Sequence, residues 1–445
     1  MAGDTASLFP LIQESETTPG NYFVSNYPPY SFWKPEYVAE AYRALESTPL
    51  PDTHLGIYLH IPFCRKRCHF CYFKVYTDMR KTEIQQYMEA AIHELSLYSE
   101  KPFVHDRRPH FVYFGGGTPS FLSSRQLARL TGGMKKLLPW DKAEEITFEC
   151  EPGTLTEAKL RVLKEIGVTR LSLGIENFNE QILKVNGRAH GSKEIDRAYN
   201  FARAIAFPQI NIDLIAGMVG ETAENWQDCI RRTINLEPDS VTIYQMEIPH
   251  NTTLSKEMKS HGDKNGPIAP WKDKREWVDY AFTELEKSGY TITSAYTAVK
   301  DSSRSRFVYR DQLWRGADLI GLGVASFSHV GGTHFQNEHE FDTYLGRLRE
   351  NELPIYRALN TTPQERMIRE FILQLKLGSI DRAYFQTKFG VDIHQRFAKP
   401  FQALQDSGVL VLGPNGVQLN RPGLLQVDRL LYEFFLPEHR TSRYT

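Results

Sequence analysis

Residues 56–71 read GIYLHIPFCRKRCHFC, and this stretch decides what kind of molecule the chain forms. Its first half, Ile57 to Ile61, is a short run of β-branched and aromatic residues, the signature of a strand. Its second half sets Cys64, Cys68 and Cys71 at the spacing C-x3-C-x2-C. Three thiolates on one tight loop can bind three irons of a cubane cluster and leave the fourth iron open to an outside ligand. Electron-transfer ferredoxins close the cluster with a fourth cysteine, and this chain has none nearby. Zinc is the alternative: it needs a fourth ligand such as His60 or His69, and structural zinc motifs usually arrive as two spaced pairs.

Working outward, short apolar runs alternate with segments of helical period. Strands are predicted at Ile57 to Ile61, His110 to Phe114, Glu145 to Cys150, Arg170 to Gly174, Gln209 to Ile215 and Ser240 to Met246. Several are apolar on both faces, as strands of a buried parallel sheet are. Crossover helices are predicted over 83–99, 124–138, 157–166, 192–205 and 224–235. Six βα units in succession predict an α/β fold, a partial or complete TIM-type (βα)6 barrel with its chemistry at the strands' C-terminal ends. The cysteine loop follows the first strand and so falls at that face.

Three units are expected: an N-terminal arm over 1–55 with a short helix at Lys34 to Leu45, the barrel and its extension over 56–350, and a small unit over 355–445. A further helix (Lys274 to Ser288), a strand (Tyr290 to Tyr296) and a glycine-rich strand-like segment (Asp318 to His329) extend the barrel. In the small unit, Thr362, Pro363 and Glu365 form a helix start with a capping box. Helices run from there to about 407, and GVLVLGPNGVQLN reads as a hairpin before a last helix, Pro422 to Phe435. Helices followed by a hairpin predict a winged-helix-like C-terminal domain. The polar stretch Asn251 to Lys274 is too long for an ordinary connection and reads either as a functional loop or lid or as a surface insertion.

Composition narrows the classes of function. At 445 residues, with 41% hydrophobic and 24% charged, the chain has the make-up of a soluble globular protein. A net charge of -1 gives no basic footprint, so nucleic acid is not an expected partner. No apolar run approaches the roughly 18 to 20 residues that span a bilayer, and the opening residues carry no signal-peptide pattern. A cytoplasmic location is therefore expected. Cys150 and Cys229 stand apart from the cluster of three and read as small buried hydrophobes.

The second strand runs into Gly115, Gly116, Gly117, Thr118 and Pro119, glycines that let a backbone approach a ligand closely. With the cysteine loop after strand one, this GGGTP resembles the cluster and S-adenosylmethionine (SAM) loops of the radical SAM superfamily. YLHIPFC, FGGGTPS, FECEPGTL, RLSLGIENFN, NGRAH, NIDLIAG and DLIGLGVASFS occur in that order. Together they resemble the oxygen-independent coproporphyrinogen III oxidase and heme chaperone family, as does TTPQERMIREFILQL through QVDRLLYEFF in the small unit. The resemblance implies a [4Fe-4S] cluster on Cys64, Cys68 and Cys71, with SAM contacted by Tyr58, Gly116 and Glu149. It implies a possible second SAM at Phe70, Gly117, Thr118, Arg188 and Asp213, with Phe327 matching an apolar adenine contact. A structural ion pair is the other reading of Arg188 and Asp213, and a core aromatic that of Phe327. It further implies a tetrapyrrole or similarly extended small-molecule substrate and a flavodoxin or ferredoxin as electron donor.

The chain also departs from the pattern. Phe73 stands where the oxidases usually carry a further cysteine, and Glu176 where the family commonly has glutamine, which leaves the second SAM open. Where heme chaperones show HNxxYW, this chain reads YRDQLW from Tyr309 to Trp314, and Tyr309 is the candidate axial ligand left. Three readings stay open: an oxidoreductase of the coproporphyrinogen III dehydrogenase type, a methyltransferase or cyclopropanase using a second SAM, and a heme-carrying binding module. Tyr296, Arg304, Arg306 and Arg310 are candidates for holding propionates, against a solvated basic surface.

Overall fold

The computed structural model describes residues 23–249, 252–256 and 268–440. Six strands, β1 (Leu55–Ile61), β2 (Phe111–Gly116), β3 (Glu145–Cys150), β4 (Arg170–Glu176), β5 (Gln209–Ala216) and β6 (Ser240–Gln245), lie side by side in chain order. Every ladder between them is parallel. Helices Lys81–Ser99, Ser124–Leu137, Glu157–Ile166, Ser192–Ala204 and Ala223–Leu236 make the crossovers. Side-chain oxygens of Ser123, Thr156 and Thr222 cap three of them, each accepting from a backbone N–H of the first turn. A short helix, Glu180–Val185, was not anticipated; Asn179 caps it.

The barrel is partial. β7 (Thr291–Ile292) and β8 (Thr297–Val299) close one side, β8 running antiparallel to β6. On the other side β9 (Asp318–Leu322) runs parallel to β1, followed outward by the antiparallel β10 (Phe327–Val330), β11 (Thr333–Asn337) and β12 (Ile355–Asn360). The order runs from β12 to β7, and among the described residues no ladder joins those ends.

Several predicted elements are divided. The strand expected at Tyr290 to Tyr296 is interrupted where Ser294 Oγ accepts from the backbone N–H groups of Tyr296 and Thr297, turning the chain into β8. The single segment Asp318 to His329 folds back on itself as β9 and β10, with Gly323 in a left-handed conformation at the turn. The last helix is broken into Arg421–Leu425, Val427–Leu430 and a 3-10 turn at Leu431–Phe434. The N-terminal helix is shorter than expected, Val38–Leu45 after a 3-10 turn at Pro35–Tyr37. Most of the stretch Asn251 to Lys274 lies outside the described residues.

Helix Pro363–Leu375 starts with the expected capping box, and strands β13 (Ser379–Asp381), β14 (Leu410–Gly413) and β15 (Gly416–Leu419) form a small antiparallel sheet. Phe371, Phe385, Phe397, Phe401 and Phe434 fill the core beneath it. Val24 and Tyr27, from the segment read as an arm, are fully buried in that same core. Lys34 pairs with Ala358 on β12, so residues 23–34 are bound along the molecule's open side.

Candidate active site

The cysteine loop is held from several directions. Cys64 N donates to Tyr76 O at 3.0 Å, His69 N to Asn186 O at 3.2 Å and Cys71 N to Cys68 O at 3.1 Å. The glycine loop docks on it through Gly117 N to Ile61 O and Thr118 N to Phe63 O, both 2.9 Å. A Cβ on Gly117 would stand 3.0 Å from Cys64 Sγ and 2.9 Å from the carbonyl carbon of Pro62, so only glycine lets the two loops meet. Thr118 Oγ1 donates to Cys64 Sγ at 3.3 Å and Arg188 Nη1 to Cys68 Sγ at 3.4 Å. Burial pushes the thiols of Cys64 and Cys71 up to about 11 and 12, so an iron-bound thiolate there must be stabilised chiefly by the metal. Among the described residues no three His, Cys, Asp or Glu side chains converge on one metal ion. Cys150 and Cys229 are buried in the main core, as expected.

Three partly buried carboxyl groups stand on successive strands beyond this loop. Glu149 on β3 accepts from Tyr113 OH at 2.7 Å and Gly116 N at 3.1 Å, and burial pushes it up to about 7. Glu176, at the end of β4, is likewise pushed up to about 7 by burial, with Arg188 Nη2 3.6 Å from its Oε1. Asp213 on β5 accepts from Ser172 Oγ at 2.7 Å and Asn211 Nδ2 at 2.8 Å; burial raises it too. Arg170 supplies buried positive charge: it is 2% exposed, its guanidinium lies 4.1 Å from the Phe307 ring centroid, and Nη1 donates to Ser172 Oγ. Glu151 braces the loop from behind. Against its burial, His190 and Arg65 hold its carboxyl down at about 2, with Arg65 Nη2 2.8 Å from Oε1.

All of these open into one cavity of about 1170 Å³ at the C-terminal ends of the parallel strands. Its lining contains every residue that the resemblance singled out: Cys64, Cys68, Cys71, Tyr58, Phe70, Gly116, Gly117, Thr118, Glu149, Glu176, Arg188, Asp213 and Phe327. Of the propionate candidates only Tyr296 lines it, and its hydroxyl is bonded to Asp428. Arg304, Arg306 and Arg310 are not in the lining; Arg306 pairs with Glu144, and Arg310 with Asp311. Cavity cations that sequence reasoning passed over include Arg170, Arg357 and Arg369. For Arg170 a signal existed, since Arg170, Ser172, Asn211, Asp213 and Thr242 place polar side chains at alternate positions of strands whose remaining residues are apolar.

The comparisons with known proteins agree with this geometry. The radical SAM superfamily domain matches residues 58–233, and the HemN C-terminal domain matches residues 361–425. The chain is a radical SAM protein, and a [4Fe-4S] cluster and SAM are its cofactors. Within that superfamily it is a member of the oxygen-independent coproporphyrinogen III oxidase and heme chaperone-like family. It is 27% identical to the heme chaperone HemW of Bacillus subtilis over 373 residues, covering 83% of this chain and 96% of that protein. It is 26% identical to the oxygen-independent coproporphyrinogen III oxidase of Salmonella typhimurium over 394 residues, covering 85% of each. The solved structure of coproporphyrinogen III oxidase (HemN) from Escherichia coli shares the fold, with a TM-score of 0.80 at 23% identity over 93% of this chain and 96% of that one. Among the described residues no helix is long and apolar enough to cross a membrane.

Proposed function

We propose that this chain is a radical SAM oxidoreductase that removes a hydrogen atom from a tetrapyrrole or a similarly extended small molecule. The observation that carries this is one cavity lined both by the candidate cofactor residues and by aromatic and cationic side chains that those roles leave unused. Pockets for one drug-sized ligand run from about 300 to 1,000 Å³, and about 1170 Å³ leaves space for SAM and a second molecule.

In this reading Cys64, Cys68 and Cys71 hold the cluster, which together with SAM supplies a 5'-deoxyadenosyl radical as the hydrogen acceptor. The Gly116–Thr118 backbone lets the methionyl end approach the cysteine loop, Glu149 accepts from the ribose hydroxyls, and Tyr58 and Phe327 offer apolar surface. Arg188 reaches from Cys68 to Glu176 and complements charge beside the cysteine loop. Arg357, whose Nε donates to Gln336 Oε1 at 2.7 Å, and Arg369 stand on the far wall, where carboxylate substituents of a substrate would meet them. The electron that cleaves SAM would come from an outside donor of the flavodoxin or ferredoxin class, and the substrate radical left by hydrogen removal would pass its unpaired electron to an outside one-electron acceptor.

The test is anaerobic reduction of the fully reconstituted protein with SAM and candidate tetrapyrroles, read by mass spectrometry. Release of 5'-deoxyadenosine that rises with one of them, together with its oxidised product, is the expected result. A reconstituted protein that never cleaves SAM would sink the reading. Formation of S-adenosylhomocysteine alongside would point to methyl transfer instead. The likeness to a heme chaperone favours a second reading, that the same cavity carries heme.

A further inference from the structure

Strands β10 and β11 carry a pair of histidines that the cofactor chemistry does not use. His329 lies on β10 and His334 on β11, directly across the ladder from each other. His334 is completely buried, stacked on Trp33 with ring centroids 5.1 Å apart; His329 is 7% exposed and lines the cavity, as do Phe327 and Gln336 on the same two strands. Phe327 and His329 are two positions apart on one strand, so their side chains share a face.

The hydrogen bonds around this pair determine where its protons sit. His334 Nε2 is 3.1 Å from the backbone oxygen of Tyr27. A carbonyl only accepts, so this nitrogen carries the proton. Burial, with Arg369 as the first charged neighbour, drives both rings well below their usual pKa, so both are neutral. The remaining nitrogen of His334, Nδ1, therefore carries a lone pair. It lies 3.1 Å from His329 Nδ1, which must be the donor, and 3.4 Å from Asn26 Nδ2, a second donor. Arg369 Nε donates to Asn26 Oδ1 at 2.6 Å and so orients that amide. With Nδ1 of His329 protonated, its Nε2 bears the lone pair, and among the described residues Nε2 has no hydrogen-bond partner.

A neutral imidazole whose far nitrogen donates to a fixed acceptor is the arrangement found behind metal-ligating histidines. Its surroundings suit a flat, aromatic, anionic molecule. The rings of Tyr30 and Phe327 are 4.7 Å apart at the cavity edge, and Arg357 and Arg369 bring positive charge to the same wall. We propose that Nε2 of His329 is the axial ligand for the metal of a metallated tetrapyrrole, with His334 and the Tyr27 carbonyl fixing its tautomer. This rests on the reading that the cavity takes a tetrapyrrole, and it assigns the ligand to β10 rather than to Tyr309. Tyr309 is packed 4.4 Å from Tyr113, and its burial raises the phenol's pKa, which disfavours the phenolate an axial bond needs.

The test is anaerobic titration of the cluster-loaded full chain with ferric heme and, in parallel, with iron-free protoporphyrin, followed by absorbance and electron paramagnetic resonance. Heme is expected to bind with a shifted Soret band and the spectrum of a nitrogen-ligated iron. His329→Leu should lose that spectrum and bind heme no more tightly than iron-free porphyrin, while retaining the cluster absorbance and the porphyrin affinity of the unaltered chain. His334→Phe, which removes the supporting acceptor, should weaken heme binding about tenfold, at the lower end of what such partners are worth. Tyr309→Phe should leave the heme spectrum unchanged. If His329→Leu retains the unaltered heme spectrum, or Tyr309→Phe abolishes it, the assignment is overturned while the tetrapyrrole reading stands. If neither porphyrin binds at all, the reading beneath it falls as well.

Discussion

The cavity has two walls, and they are held in different ways. One is made by β1 to β6 and their loops, where Glu149, Glu176, Asp213 and Arg170 lie on adjacent strands, Arg188 lies on a loop beside them, and the polar contacts are with near neighbours. The other is made by β10 to β12 with residues 23–33. It is aromatic and neutral apart from its arginines, and its bonds reach far along the chain: Asn26 to His334, Arg357 to Tyr30, Arg369 to Asn26. The first wall is a local consequence of strand order, and the second exists only when distant segments have come together. In the function proposed above, SAM is met mostly by the first wall and the substrate mostly by the second.

The sharpest way to break the first wall is Cys68→Ala. It should abolish the brown cluster absorbance near about 400 nm, typical of thiolate-to-iron charge transfer, and with it all SAM cleavage. A full cluster in that variant would refute the ligand assignment. Phe371→Ala tests the core on which the second wall leans. Phe371 is completely buried against Phe385, Phe397, Phe401 and Phe434. Loss of such a ring should lower stability by about 3–5 kcal/mol in denaturant titrations. A much smaller loss would mean that the C-terminal unit repacks freely.

Glu149→Gln sharpens the comparison without unfolding anything. A hydrogen bond to a charged group is worth about 1.5–3 kcal/mol, so SAM should bind about thirtyfold more weakly in anaerobic equilibrium dialysis. An unchanged affinity would move the ribose away from β3.

The smallest expected effect concerns Glu94, which ties the walls together. Its carboxylate accepts from Gly323 N at 2.8 Å, Tyr344 OH at 2.6 Å and Asn337 Nδ2 at 2.5 Å, and burial pushes it up to about 8. Between the ordinary carboxylate range and that value the folded chain holds a proton that the unfolded chain has released. This group's contribution to stability therefore falls as pH rises, and the fall ends once pH has passed about 8. Glu94→Gln cannot ionise. It should flatten that part of the melting-temperature profile, and an identical slope would show that Glu94 does not titrate there.

The same contrast explains what could be read from the sequence. The cysteine loop, the Gly116–Thr118 loop and the order of β1 to β6 depend on near neighbours, so spacing and hydrophobic period reveal them. The turn at Ser294 was hidden because the alternation of Tyr290 to Tyr296 suits a strand, and only the hydroxyl's two backbone bonds divert it. Arg304, Arg306 and Arg310 drew attention as a local basic run, yet none of them lines the cavity, whereas Arg357 and Arg369, outside any such run, do. His329 and His334 carry no motif at all. Their meaning lies in Tyr27 O, some three hundred positions upstream.

The segment at residues 23–27 has a consequence for how the molecule comes into being. Val24 N donates to Asp428 Oδ1 and Val24 O accepts from Lys376 Nζ, while Tyr27 OH is bonded to His439. A ribosome makes residue 24 long before any of these partners. Until residues 376–439 emerge, Val24 and Tyr27 lack these three partners, although His334 and Ala358 already offer contacts to Tyr27 and Lys34. These contacts therefore form only after residues 376–439 have been made, long after residue 24.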